Sequence, residues 1–435
     1  MSASGEEGDR PAMTGPRRLR AILGGSAGNL VEWYDWYAYS SFALYFAKHF
    51  FPKGDAVAEQ LQAAAVFALG FFARPIGAWL MGLYADRAGR RAALTLSVGL
   101  MSAGSFAIAL IPTYGQIGLA SPLLLLAARL VQGLSLGGEY GASATYLSEM
   151  AGRQRRGFWS SFQFMTLIGG QLTALAVLIV LQNLLSTPDL EAWGWRIPFV
   201  VGGVLAVVVF WIRSGLEESR AFVVAGAVDR PKSPTLSLFR DHPRETWAIL
   251  GLTAAGSLSF YAYTTYMQKF LVTTSGFSKD AATAVMAGAL IVYMLVQPLV
   301  GWVSDHVGRK TTIAAGFGLG AVLTYPLMSA IAGASAPLEA FGLVLCLVLI
   351  HSGYSAVNAA VKAELFPAAV RALGVALPYA LANALFGGTA EYVAFQLKAV
   401  GRESLFYVYV SAVMAVACVI ALRLRNTNRT SLIED

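Results

Sequence analysis

Charge is what this chain has least of. Only 13% of its 435 residues are Asp, Glu, Lys or Arg, while 56% are hydrophobic. Soluble domains carry roughly 25% charged residues, so a chain this poor in charge is not expected to cover itself with a water-facing surface. Cysteine is nearly absent as well. The two that exist, Cys346 and Cys418, both fall inside apolar runs, which excludes a disulfide framework. No pair of His or Cys residues has metal-ligand spacing. No Walker-type phosphate loop is present, so ATP is not the energy source, and no dinucleotide fingerprint follows a strand. The chain therefore does not read as an enzyme, and no cofactor or metal is expected. The net charge of +7 raises nucleic acid as a partner, but the cations are confined to certain loops rather than interleaved with aromatics. No cleavable signal is expected at the N-terminus, because the first apolar run is too long and wrongly flanked.

What the chain has instead is long apolar runs and a repeat. The runs match the roughly 20 residues that a membrane-spanning helix needs. They lack the period-two alternation of a membrane strand. They predict an all-α membrane protein of twelve transmembrane helices in two six-helix halves. The divisions are a tail over 1–20, a first half over 21–212, a linker over 213–246, a second half over 247–422 and a tail over 423–435. Among the spans, the fourth is placed at Leu123–Leu147, the seventh at Ala248–Leu271, the tenth at Phe341–Val361 and the eleventh at Gly374–Phe395. The repeat is carried by Gly82-x3-Asp86-Arg87-x-Gly89-Arg90-Arg91, which returns half a chain later as Gly301-x3-Asp305-His306-x-Gly308-Arg309-Lys310. A second echo matches Glu149, Arg156 and Gly157 with Glu364 and Arg371. An internal repeat of this size in an apolar chain is the pattern of transporters built from two related halves. Most of the 32 lysines and arginines lie in the two tails, the linker and the loops that join even to odd spans. Both termini are therefore expected in the cytoplasm.

The acid–cation groups of the two echoes fall on that same side. Asp86, Arg90, Asp305, Arg309, Glu149, Arg156, Glu364 and Arg371 are candidates for a gate that holds the halves together at one face. The alternative is that they only mark topology, although acids contribute little to that rule.

Ionisable residues inside spans cost about 2.5–3.5 kcal/mol each on the insertion scale, so each is a functional candidate. Glu32 and Asp35 lie three apart on one face of the first span, near mid-membrane. Two carboxylates so close repel when both are ionised, which suits one of them to carry a proton. The alternative is a structural ion pair with a neighbouring helix. Arg74 in the second span and Arg129 in the fourth point to an anionic substrate, because a guanidinium matches a carboxylate bidentately. On the fourth span Arg129, Gln132, Glu139 and Ser143 form one polar stripe, and Arg129 paired with Glu139 is the plainer reading. Tyr34, Tyr261, Gln268, Asn358, Tyr379 and Asn383 could line a substrate path or simply bond helix to helix. His351 titrates near physiological pH and joins Glu32, Asp35 and Glu139 as a proton-carrying candidate. Lys269 and Glu391 fall near the outer ends of their spans, where a long side chain can snorkel.

The Gly82–Arg91 loop with its second copy resembles the loop signature of the major facilitator superfamily. Arg129-x2-Gln132-Gly133-x3-Gly137-Gly138-Glu139 is similar to that superfamily's fourth-helix motif. Gly28-Asn29-x2-Glu32-Trp33-Tyr34-Asp35-Trp36-Tyr37 resembles the first helix of the metabolite:proton symporter family. This resemblance, over about residues 20–420, implies proton symport of a small dicarboxylate such as 2-oxoglutarate across a bacterial inner membrane, without a cofactor. Citrate, shikimate and proline or betaine are the substrates of related symporters. A membrane sensor that kept the fold without transport is the reading from another class. A monomer in the bilayer is expected.

Overall fold

The computed structural model describes residues 15–52, 54–88, 90–136, 155–214, 234–425 and 427. Among these the chain is helical, with no strand. The reason lies in the solvent: hydrocarbon offers no partner to backbone N–H and C=O groups, so apolar runs must satisfy them within one helix.

In chain order the long helices are α1 (Gly15–Phe50), α2 (Ala56–Ala88), α3 (Arg90–Leu110), α4 (Ala120–Leu136), α5 (Phe162–Leu184) and α6 (Ile197–Ser214). They continue with α7 (Pro243–Tyr263), α8 (Lys279–Val307), α9 (Arg309–Ala332), α10 (Pro337–Ser355), α11 (Ala368–Ala382) and α12 (Ser404–Arg423). Short pieces extend four of them. Arg156–Ser160 leads into α5, Thr265–Thr273 follows α7, Asn358–Glu364 follows α10, and Ala390–Ala399 continues α11. Eight of these helices, counted with their extensions, are long and apolar enough to cross a membrane, and Thr95–Leu110 and Ala120–Ser135 are shorter apolar stretches. Large apolar side chains such as Trp79, Leu123, Trp211, Leu295 and Val322 stand exposed on the outside. That is tolerable in lipid and a liability in water.

Local sequence sets the ends and breaks. α8 starts where the Ser278 hydroxyl accepts a hydrogen bond from the Ala281 N–H and stops at Gly308, whose φ of 98° suits glycine. Three expected spans turn out to be interrupted. The seventh breaks at Thr264, the tenth at Ala356–Val357, and the eleventh carries a π-turn over Asn383–Gly387, five residues after Pro378. Hydropathy is blind to such breaks, since a turn buried against protein keeps its apolar composition. Of the expected linker, residues 215–233 lie outside the described residues, Pro234–Asp241 is helical, and α7 begins at Pro243. Pro243 fits there because the first turn needs no N–H from it.

Helix pairing repeats between the halves. α1 packs on α5 and α6, α2 on α4, and α3 on α4 and α6; likewise α7 packs on α11 and α12, α8 on α10, and α9 on α10 and α12. Across the halves α5 meets α8 and α2 meets the continuation of α11. The seam between α2 and α4 is so tight that a Cβ on Gly77 would stand 2.1 Å from the Leu134 carbonyl oxygen. Only glycine permits that approach.

Candidate functional site

Between the halves lies a narrow cavity. Trp33 of α1 and Phe164 and Leu167 of α5 form one wall. Ser257, Phe260 and Tyr261 of α7, Tyr354 of α10 and Asn358 of its continuation, and Tyr379 of α11 with Asn383 of the π-turn after it form the other. The three interrupted helices supply the second wall, as fits a site where turns open helices to place side chains. Arg74 of α2 reaches the same region: it is buried and lies beside Tyr37, Tyr261 and Tyr379. Its guanidinium stacks 3.9 Å from the Phe71 ring and 4.0 Å from the Trp36 ring, while Nε and Nη2 have no hydrogen-bond partner among the described residues. An aromatic cage with unspent donors can receive an anion.

Asp35 is buried on the other side of α1, away from this wall. Its carboxylate accepts hydrogen bonds from Ser105 of α3 and, at 2.5 Å, from the Gln132 amide of α4. Gln132 accepts in turn from Arg129 Nη1 at 2.8 Å. Gly202 of α6 makes room, since a Cβ there would stand 2.5 Å from Asp35 Oδ1. The Arg129 guanidinium lies 3.9 Å from the Trp36 ring, so Trp36 touches both arginines. The chain Asp35–Gln132–Arg129–Trp36–Arg74 is continuous from a buried acid to the cavity's edge.

Of the expected substrate residues, Tyr261, Asn358, Tyr379 and Asn383 line the cavity and Arg74 adjoins it. The rest sit elsewhere. Arg129 and Gln132 belong to the Asp35 cluster within the first half. The Tyr34 hydroxyl donates to the Pro198 carbonyl at the α1–α6 seam, and Gln268 donates to Thr283 of α8. A helical face tells that a side chain points inward, but not which neighbour receives it. Of the proton-carrying candidates, Glu32 is buried on α1. His351 lies behind the cavity with Nδ1 3.0 Å from the Ser259 hydroxyl, ringed by Phe164, Phe260, Tyr263, Tyr293 and Tyr354. Glu139 and Glu149 lie outside the described residues, as do the side chains of Asp86 and Arg90.

Two clusters join the halves at opposite ends. At one, Asp305 of α8 accepts from the backbone N–H groups of Gly157 and Phe158 at 2.9 and 3.0 Å and pairs with Arg309 at 2.7 Å. Glu364 sits 3.5 Å from Arg156 and 3.8 Å from Arg309. Arg371 donates to the carbonyls of Ala363 and Phe366. At the other end Lys269 and Glu391 are both buried and paired at 2.5 Å, with Ser40 of α1 accepting from Lys269 and donating to Glu391, each at 2.8 Å. This corrects the snorkelling expectation. Neither side chain reaches outward, because each has a partner inside.

The fold agrees with comparison to known proteins. The profile of the family described as "Sugar (and other) transporter" matches residues 21–232 and again 226–434, and the chain belongs to that family. It is a multi-pass membrane transporter. Among relatives, the alpha-ketoglutarate permease of Escherichia coli (strain K12) is 51% identical over 418 residues, 95% of each chain. The citrate-proton symporter of Klebsiella pneumoniae is 33% identical over 384 residues, 87% of this chain and 85% of the relative. These relatives are transporters rather than enzymes. Among solved structures, the major facilitator superfamily proton:xylose symporter XylE superposes with a TM-score of 0.74 at 18% identity, over 96% of this chain and 98% of that one. At that identity the likeness concerns the fold.

Proposed function

We propose that the chain is a proton-coupled symporter of the inner membrane that imports 2-oxoglutarate, or a closely related small dicarboxylate, by alternating access. The observation that carries the substrate is the 51% identity to a permease named for it, across 95% of both chains. Arg74 at the edge of an amide- and phenol-lined cavity supports an anion. Helices α1–α12 then form twelve spans in two halves joined by a linker, both termini in the cytoplasm. The Asp305 cluster faces the cytoplasm and the Lys269 cluster faces outward. The protein works as a monomer in the bilayer with no cofactor, driven by the proton gradient.

An anion entering against an interior-negative potential needs co-transported protons, since each charge costs about 2.3 kcal/mol per 100 mV. Asp35 is the group we assign to carry one. Ionised, it holds Gln132, which holds Arg129 against Trp36. Protonated, it loses an acceptor, the Gln132 amide is released, and the stacking of Trp36 between Arg129 and Arg74 loosens. Proton binding thereby alters the guanidinium that meets substrate.

The test is uptake of labelled 2-oxoglutarate, citrate, shikimate and proline into proteoliposomes under an imposed pH difference. Accumulation of 2-oxoglutarate above the others is expected. Preference for citrate would favour the reading suggested by the 33% identical symporter. Asp35→Asn should keep substrate exchange and lose accumulation. If it still accumulates substrate, Glu32→Gln and then a neutral variant of His351 are next.

A further inference from the structure

The Lys269–Glu391 pair belongs wholly to the second half: Lys269 lies on the continuation of α7 and Glu391 on that of α11. Ser40, which touches both, comes from α1 in the first half. Tyr261 and Asn383 line the cavity, and Lys269 and Glu391 each follow one of them by eight residues. That is about 12 Å of helix at 1.5 Å per residue. With this end facing outward, an entering anion passes the pair before it reaches the cavity.

The Ser40 hydroxyl acts in two directions. It accepts from the Lys269 ammonium and donates to Glu391 Oε1, each at 2.8 Å. When the outer end opens, Ser40 leaves with α1. Lys269 then has an N–H to give, beside a Glu391 oxygen that has lost its donor. A substrate carboxylate can take Ser40's place as acceptor, since an ammonium is a compact cation with three donors. It cannot take Ser40's place as donor, and it would face Glu391 as a like charge. One proton between the two carboxylates removes the conflict, because Glu391 then donates where Ser40 donated. The phenols of Tyr39 of α1 and Tyr266 lie within electrostatic reach of Glu391. Beyond Tyr266, whose hydroxyl donates to it, Glu403 is paired with Lys398. Phenols stay neutral in the physiological range, and Glu403 already has its cation.

We infer that Lys269 and Glu391 form an outer loading site, where a substrate carboxylate and one proton bind together in the place that Ser40 holds when this end is closed. The proton comes from the outer solution onto Glu391. As Ser40 returns, Glu391 passes that proton to the departing carboxylate and, ionised again, re-forms its pair with Lys269. The dianion travels on with one charge fewer, and the proton on Asp35 offsets the other. The site rests on the proton-coupled dicarboxylate reading above and adds a second proton to it.

The experiment measures the half-saturating outer concentration of 2-oxoglutarate in proteoliposomes as the outer pH is varied, above the range in which the substrate's own carboxylates titrate. In the unaltered protein this concentration should rise with pH. Glu391→Gln keeps a donor beside Lys269 at every pH, so its profile should be flatter by up to about tenfold per pH unit, the linkage of one proton. Lys269→Met combined with Glu391→Gln leaves no stranded charge, so it decides the matter if the single variant does not fold. It should show the same flattening and bind outer substrate about tenfold to a hundredfold more weakly, the worth of a charge-assisted hydrogen bond. Uptake indifferent to pH in the unaltered protein overturns the proton-coupled reading and this site with it. Uptake that depends on pH as steeply in the variants as in the unaltered protein, or unchanged affinity in the double variant, overturns this site alone and leaves the pair as a closure.

Discussion

The two ends of the bundle are joined by different material. At the Asp305 end a carboxylate of one half caps the start of a helix in the other, through the N–H groups of Gly157 and Phe158. The helix backbones there nearly touch: a Cβ on Gly157 would stand 2.5 Å from the Gly301 carbonyl oxygen, and one on Gly301 would stand 2.4 Å from that of Gly157. At the Lys269 end a cluster of three side chains from α1, α7's continuation and α11's continuation joins the halves through side-chain groups. Helix ends and glycines tie the first closure to two connections of the chain. The second rests on a buried charge pair with one hydroxyl, beside the more exposed Glu191–Lys279 pair.

The largest effect should come from unbalancing the second closure. Glu391→Gln strands the Lys269 ammonium in a site where both partners are almost fully buried. Breaking one side of such a pair costs about 3–5 kcal/mol. Thermal unfolding in detergent should shift down strongly, and Glu391→Gln combined with Lys269→Met should recover much of the loss. Equal losses in single and double variants would mean that the charge pair is not what holds this end.

Asp305→Asn should act more gently but more specifically. The amide replaces one acceptor oxygen and removes the charge paired with Arg309, a change of roughly 1.5–3 kcal/mol for charge-assisted bonds. Much of this should appear as easier opening at this end, read by thiol labelling of nearby engineered cysteines, with lower uptake and retained substrate binding. Loss of binding with normal insertion would contradict a gating role.

A smaller effect is expected at Glu191, between α5 and α6, which bridges Lys48 and Lys279 at the Lys269 end. Burial pushes its carboxyl up, but the hydrogen bonds and charges of Lys279 and Lys48 more than offset this and hold it below its ordinary value of 4.5. A lowered value stabilises the fold above pH 4.5 and loses that contribution as the pH falls below it. Because these groups are partly exposed, Lys279→Ala should cost less than about 1 kcal/mol and less still in high salt. Denaturation at two salt concentrations checks both.

The difference between the ends also explains what the sequence could reveal. Asp305, Arg309, Arg156 and Glu364 were legible because polar motifs repeat at matching places in an apolar chain. Lys269 and Glu391 looked like stray end-of-span charges, since nothing local reports a partner far away in sequence. The paired arrangement of helices followed from the repeat, whereas the breaks at Thr264, Ala356 and Asn383 left no trace in hydropathy. In the cavity, Tyr261, Asn358, Tyr379 and Asn383 could be read from polar helix faces. Tyr34, Gln132 and Gln268 share that signature but bond to neighbouring helices instead.

If the two closures serve alternating access, they must not open together. Spin-label pairs placed on exposed residues across each end, in proteoliposomes, would give both distances as pH and 2-oxoglutarate are varied. The account predicts that one distance lengthens as the other shortens, with a substrate-bound population in which both are short. Both distances lengthening in the same molecules, or substrate crossing while neither changes, would contradict it.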